Sequence, residues 1–188
     1  QDKFEKLEVY FKDKIGINQL IDYQIESIEN DTLDFRLKDT EQYKDMVYLH
    51  LRNNDAVLTQ DNDVEIFNDG KAKFDALIHD LESAKNHINF KYYILRLDNL
   101  GKRILDVLIR KAKQGVQVRV LFDAMGARGL RKRHFKKLIE NGGQVEAFFH
   151  AILQLINRRR NYRHHRQIVV IDGRIVYLGG LNVCVDNL

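Results

Sequence analysis

The spacing of apolar residues changes character part-way along the chain. At first it is helical. Phe4, Leu7, Phe11 and Ile15, then Ile17, Leu20, Ile21, Ile25 and Ile28, recur at three- and four-residue intervals. Gly16 between the two sets predicts a break or kink, and Asn30-Asp31 predicts a stop. A third short helix is expected over residues 40–52, with Tyr43, Val47 and His50/Leu51 on one face. From Asp63 the pattern shifts. Val64 and Ile66 ahead of Asn68-Asp69-Gly70 predict a strand ending in a turn. Helices are then expected over 71–86, 100–114 and 129–141, the last two closed by Gly115 and by Gly142-Gly143. Strands are expected over 87–95, 116–122, 144–149, 167–171 and 174–178, the last pair joined at the hairpin signal Asp172-Gly173.

Strand and helix therefore alternate through the second part of the chain. This predicts an α/β fold with a mixed, mostly parallel sheet flanked by helices, the closing hairpin supplying the antiparallel part. Residues 1–55 have little with which to build a core and are expected to form a helical connector, with the α/β domain at 56–188.

Composition narrows the classes. A single Cys in 188 residues excludes an internal disulfide framework and a cysteine-built zinc site. The longest apolar runs, such as 92–95 and 168–171, fall far short of the ~18 residues of a membrane span, and no signal peptide opens the chain. A peripheral or cytoplasmic location is expected. The first residue is Gln1 rather than Met, as in a fragment of something longer. The net charge of +4 conceals a split: residues 1–70 carry 8 basic and 17 acidic side chains, a net −9, and residues 71–188 carry 23 and 10, a net +13. The basic part has two dense clusters, at 128–137 (RGLRKRHFKK) and 158–166 (RRRNYRHHR). They are read either as solvated surface or as attraction to phosphates of lipid headgroups or nucleic acid.

The candidate chemistry lies in NYRHHRQIVVIDGRIVYLGGLN, residues 161–182. His165 precedes a hydrophobic strand, Asp172 occupies the turn at its far end, and Gly179-Gly180 and Asn182 follow the next strand. In that strand, Gln167, Val169 and Ile171 alternate with Ile168 and Val170 on opposite faces. A His with an Asp nearby is the minimum for a nucleophile or general acid/base whose tautomer is fixed. Glycines beside it let a polar group approach the backbone.

The spacing resembles the HxK(x)4D(x)6GGxN motif of the phospholipase D superfamily. Together with EIFNDGKAKFDALIHDLESAKNHINFKYYILR, GKRILDVLIRKAKQGVQVRVLFDAMGARGLR and GGQVEAFF, it looks like the first catalytic half of bacterial cardiolipin synthase, over residues 50–188. The resemblance implies a phospholipase D-like half-domain that needs neither metal nor cofactor. It implies transfer of a phosphatidyl group between two phosphatidylglycerol molecules through a phosphohistidine, with release of glycerol. A second motif-bearing half would complete the site. His165 would be nucleophile or acid/base and Asp172 its orienter. The residue at 167 and Asn182 would hold phosphoryl oxygens, with Gly179 and Gly180 in support. The implied partners are anionic phospholipid and the membrane surface, with a homodimer as one source of the second half; nucleic acid is not expected. The family is usually membrane-anchored.

The chain departs from that pattern. Gln167 replaces the motif lysine; its amide donates hydrogen bonds but carries no charge. Removing one donor from such a site typically costs about 10²–10³ in rate. The chain has no proline where roughly nine would be ordinary, and His150 and Gln154 stand where relatives tend to carry it. Cys184-Val185-Asp186-Asn187 replaces a usual Gly-Asp-Glu-Tyr, and Lys91 stands where an acid or neutral polar residue is usual. These departures predict a truncated, catalytically impaired copy. Two alternatives remain open: a single-motif phospholipase D-type nuclease working as a homodimer, and a non-catalytic basic module binding anionic membrane.

Overall fold

The computed structural model describes residues 16–36, 38–60, 62–148 and 165–184. The helix expected over residues 2–15 lies outside them, as do residues 149–164 and 185–188. The chain divides into two units, residues 1–65 and 66–188, rather than after residue 55.

The first unit holds α1 (Ile17–Glu29), α2 (Lys38–Glu41) and α3 (Lys44–Asn54). It makes more of a core than its composition suggested. Ile21, Ile25 and Ile28, one stripe of α1, bury against Leu51 of α3, with Leu33, Val47 and Val57 around them. The Gln24 side chain, half-way along that stripe, exchanges two hydrogen bonds with the Leu58 backbone at 2.9 and 2.8 Å, tying the chain after α3 back to α1.

The second unit begins with α4 (Gly70–Ser83). Asp69 accepts from the Ala72 N–H and caps the helix, so the Asn68-Asp69-Gly70 signal marks a helix start, not a strand end. Val64 and Ile66 are 77% and 80% exposed and belong to no strand. Then come β1 (His87–Tyr92), α5 (Asn99–Lys113), β2 (Gln117–Asp123), a turn of 3₁₀ helix (Lys132–Phe135), α6 (Lys136–Glu140), β3 (Gln144–Phe148), β4 (Gln167–Ile171) and β5 (Ile175–Gly179). The expected long basic helix is only this 3₁₀ turn and α6. Just Phe135 and Leu138 of the segment are buried, too few to form a continuous apolar stripe.

The strands form one mixed sheet in the order β3-β2-β1-β4-β5. β1, β2 and β3 are parallel, while β4 runs antiparallel to both β1 and β5. One face carries the core: Ile88, Phe90 and Tyr92 of β1, Val118, Val120 and Phe122 of β2, and Val169 and Ile171 of β4 pack against Phe74, Leu77 and Leu81 of α4 and Ile104 and Leu108 of α5. The other face presents Asn89, Lys91, Arg119, Leu121, Glu146, Ile168 and Val170 around an open hollow of about 380 Å³. Val176 and Leu178 are also exposed.

The β4–β5 hairpin turns at Asp172 (φ 53°) and Gly173 (φ 68°), the two positive angles of a tight turn that matches strand twist. Asp172 does more than turn the chain. Its carboxylate accepts from the backbone N–H groups of Lys85, Asn86 and His87 at 2.8, 2.7 and 2.9 Å. It thereby fastens the hairpin to the entry of β1. These amides, Lys85 first and then His87, hold its carboxyl below the usual carboxylate range.

A depressed folded-state value means stability that is present above the ordinary carboxylate pKa and is lost as pH falls through the folded value. Asp172→Asn keeps the turn but cannot accept with both oxygens. It should lower stability at pH 7 by on the order of 1–2 kcal/mol. The acid-side loss of stability should also be smaller than in the parent chain, as read by urea denaturation at pH 7 and in acid.

Candidate active site

Because β4 is antiparallel to β1, its first residue lies at the carboxyl ends of the three parallel strands, where ligands of open α/β sheets tend to bind. His165 stands just ahead of β4, Gln167 opens it, and Gln167 pairs with Gly179, the last residue of β5. The segment after β5 is pinned to the segment after β1. Val183 N–H donates to Ile94 at 3.2 Å, and Arg96 N–H donates to Val183 at 3.0 Å.

Gln167 is on the core face and only 5% exposed. Its Nε2 donates to the Gly180 carbonyl at 2.9 Å and to Asn182 Oδ1 at 2.6 Å. Its Oε1 is buried and has no hydrogen-bond partner among the described residues. Two acceptors thus converge on this position. An ammonium, with three donors and no acceptor, suits it; glutamine brings an acceptor that nothing answers, at a cost of about 1–3 kcal/mol. Asn182 Oδ1 also accepts from the Ile94 N–H at 3.2 Å, which turns the Asn182 NH₂ to the opposite side.

His165 is exposed, with its ring against that of Tyr93 (centroids 4.1 Å apart, planes at 34°). Tyr93 directly follows β1, and Gly126 presses on its backbone: a Cβ at 126 would lie 2.4 Å from the Tyr93 carbonyl oxygen. Gly126 is held in turn by Asp123 at the end of β2, whose Oδ1 accepts from Met125 N–H and Gly126 N–H at 2.8 and 3.1 Å. Tyr93 and Gly126 are the parts of the site that motif reasoning missed. The only trace of them in the sequence is an aromatic at a strand end and a glycine after the next strand.

The structure brings Gln167, Gly180 and Asn182 together, with His165 two positions ahead of Gln167 and against Tyr93, but not Asp172. The five residues of β4 separate Asp172 from the His165 end, about 16 Å at strand rise, and its oxygens are engaged at the entry of β1. Its expected role as orienter of His165 is corrected accordingly: it anchors the hairpin. Lys91 faces the open side of the sheet, where burial and then the neighbouring Arg166 hold its ammonium below the ordinary value. The basic residues of 128–137 are exposed, and Lys132 and Lys136 pair with Glu146 and Glu140. Of the second basic cluster, only His165 and Arg166 are among the described residues. Cys184 is buried as a small apolar side chain. Among the described residues no three of His, Cys, Asp and Glu come together as a metal site requires.

The family described as "Cardiolipin synthase, PLD-like domain" matches residues 77–188. The chain belongs to that family. The major cardiolipin synthase ClsA of Bacillus subtilis is 50% identical over 170 residues, which cover 90% of this chain and 35% of the relative. A cardiolipin synthase of Oceanobacillus iheyensis is 47% identical over 172 residues, covering 92% and 36%. The chain thus spans little more than a third of the length of these relatives. Among solved structures, NucT from Helicobacter pylori overlays with a TM-score of 0.46 at 17% identity, covering 63% of this chain and 71% of that one. That overlay is loose, and the family assignment does not rest on it.

In this cardiolipin synthase-family domain the His165 ring depends on Tyr93, and Tyr93 on Gly126. Gly126→Ala should force the Tyr93 backbone to move, costing about 1–3 kcal/mol. It should also shift the His165 imidazole signals in an NMR spectrum, while Gly115→Ala, strained by its own positive φ but at the opposite end of β2, leaves those signals in place.

Proposed function

We propose that this domain handles the phosphodiester of an anionic phospholipid, as one of two motif-bearing halves of a cardiolipin synthase-type phosphatidyltransferase, and that Gln167 impairs it. The observation that supports this reading is the meeting of Gln167 with Gly180 and Asn182 at the carboxyl end of the parallel strands, two positions after His165.

In the proposed reaction one imidazole attacks the phosphorus of phosphatidylglycerol. A nitrogen–phosphorus bond forms, the bond to glycerol breaks, and glycerol leaves with a proton from the imidazole of the opposite half. The hydroxyl of another phosphatidylglycerol then attacks phosphorus, gives up its proton to that same group, and frees the imidazole. His165 serves as either nucleophile or acid/base. Asn182 donates to a phosphoryl oxygen, where negative charge grows in the transition state and a fixed donor stabilises most. The lysine of the motif would add a cation. Gln167 spends its only donor group on Gly180 and Asn182, so it supports the loop without adding charge. The exposed basic segment 128–137 would hold the domain on an anionic membrane surface. No helix among the described residues is long and apolar enough to cross a membrane.

The test is a chimera in which this chain replaces the matching third of Bacillus subtilis ClsA, assayed for conversion of phosphatidylglycerol to cardiolipin. Gln167→Lys should raise turnover by on the order of 10²–10³, and His165→Ala should abolish it in that background. Equal turnover with Gln167 and Lys, or product from the His165→Ala chimera, would contradict the proposal.

A further inference from the structure

The motif accounts for one side of the loop 180–182; the other side is held by a residue outside it. Lys73, on the second turn of α4, is only 5% exposed. Its Nζ donates to the Leu181 carbonyl at 3.1 Å and to the Tyr92 hydroxyl at 3.3 Å. The ammonium lies 4.5 Å from the centre of the Phe74 ring and 5.4 Å from that of Tyr92. No carboxylate among the described residues pairs with it: Asp75, two positions on, is engaged with Lys71 and Arg103. Burial pulls the Lys73 pKa down to about 8. A desolvated ammonium without a counter-ion is costly; methionine would fill the same space without that charge, but would leave the Leu181 carbonyl and the Tyr92 hydroxyl without this partner. Packing therefore does not explain the lysine. What it has, and methionine lacks, is a donor aimed at the peptide immediately before Asn182.

We propose that Lys73 is a positioning residue of the phosphate site: it holds the Leu181 carbonyl from the core side, as Gln167 holds the Gly180 carbonyl, and the two together set where Asn182 presents its amide. Consecutive carbonyls of one loop are thus clamped by two side chains from different elements, α4 and β4. The bearing of this clamp on phosphate rests on the function proposed above; the hold on the loop does not.

The experiment tracks the backbone and side-chain amide signals of Asn182 and Gln167 by NMR from about pH 6.5 to 9.5 in the parent protein and in Lys73→Met. Two groups facing Lys73 or its loop need to be separated from it. The Tyr92 phenol is pushed up by burial and stays protonated through the range. His165, two positions before Gln167, is present in both proteins and gives the same background. In the parent, the Asn182 signals should move with a midpoint near 8. In Lys73→Met they should be displaced and that pH-dependent movement lost, a signature that a purely structural lysine would not produce. With inorganic phosphate as the probe, binding seen at Asn182 should weaken about 3–10-fold in Lys73→Met. Asn182 signals flat with pH in the parent, or superimposable between the two proteins, overturn the proposal; the parent titration needs no variant. If Asn182 responds to Lys73 but neither protein binds phosphate, the hold on the loop stands and the reading of the loop as a phosphate site falls.

Discussion

The site depends on the direction of β4. Three parallel strands end at one side of the sheet, and a fourth entering there in the opposite sense places its first residue, Gln167, beside the last residue of β5. Had β4 continued the parallel order, its first residue would lie at the opposite side of the sheet, away from the carboxyl ends of the parallel strands. The register matters as much as the direction. A slip of one residue would carry Gln167 to the open face and Ile168 into the core. Asp172 opposes that slip from the far end by fixing the turn to three consecutive amides ahead of β1. A residue far from the chemistry thus controls which face the chemistry occupies.

Hydrogen-bond balance then decides what the site can hold. The backbone around 180–182 and the Asn182 side chain present oxygens inward, toward Gln167 and Lys73. Such a lining calls for donors, and an ammonium answers it best. The chain meets that demand fully at Lys73 and only partly at position 167, where the amide satisfies two oxygens and strands one of its own. The same substitution that removes a charge from the site also leaves a defect in the core. The proposed impairment and the packing defect at this position would therefore share one physical origin.

Much of this is legible in the sequence. The alternation of Gln167, Val169 and Ile171 with Ile168 and Val170 assigns the faces of β4 correctly, and it puts a polar residue among core positions. Asp172-Gly173 announces the hairpin. The loop after β5 is legible as glycines ahead of an asparagine. Asp69 misleads because the same Asn-Asp-Gly triplet that turns a hairpin also caps a helix, and only the apolar spacing of the residues after it tells the two apart. Asp172 misleads because sequence distance along a strand conceals physical length: each residue adds about 3.3 Å, so a carboxylate seven positions from His165 cannot reach it. Lys73, Tyr93 and Gly126 are not legible as site residues, since each reaches the site through a contact between distant elements. A lysine in an amphipathic helix looks like surface until its helix is docked.

The central claim is that an oxyanion binds at the loop 180–182, rather than wherever positive charge is densest. Titration of the protein with inorganic phosphate, monitored residue by residue by NMR, tests it most directly. The signals of His165, Gln167, Gly180 and Asn182 should move together on one saturable curve, while those of the basic segment 128–137 move weakly and fade with added salt. Saturable shifts confined to 128–137, with the loop unmoved, would contradict it.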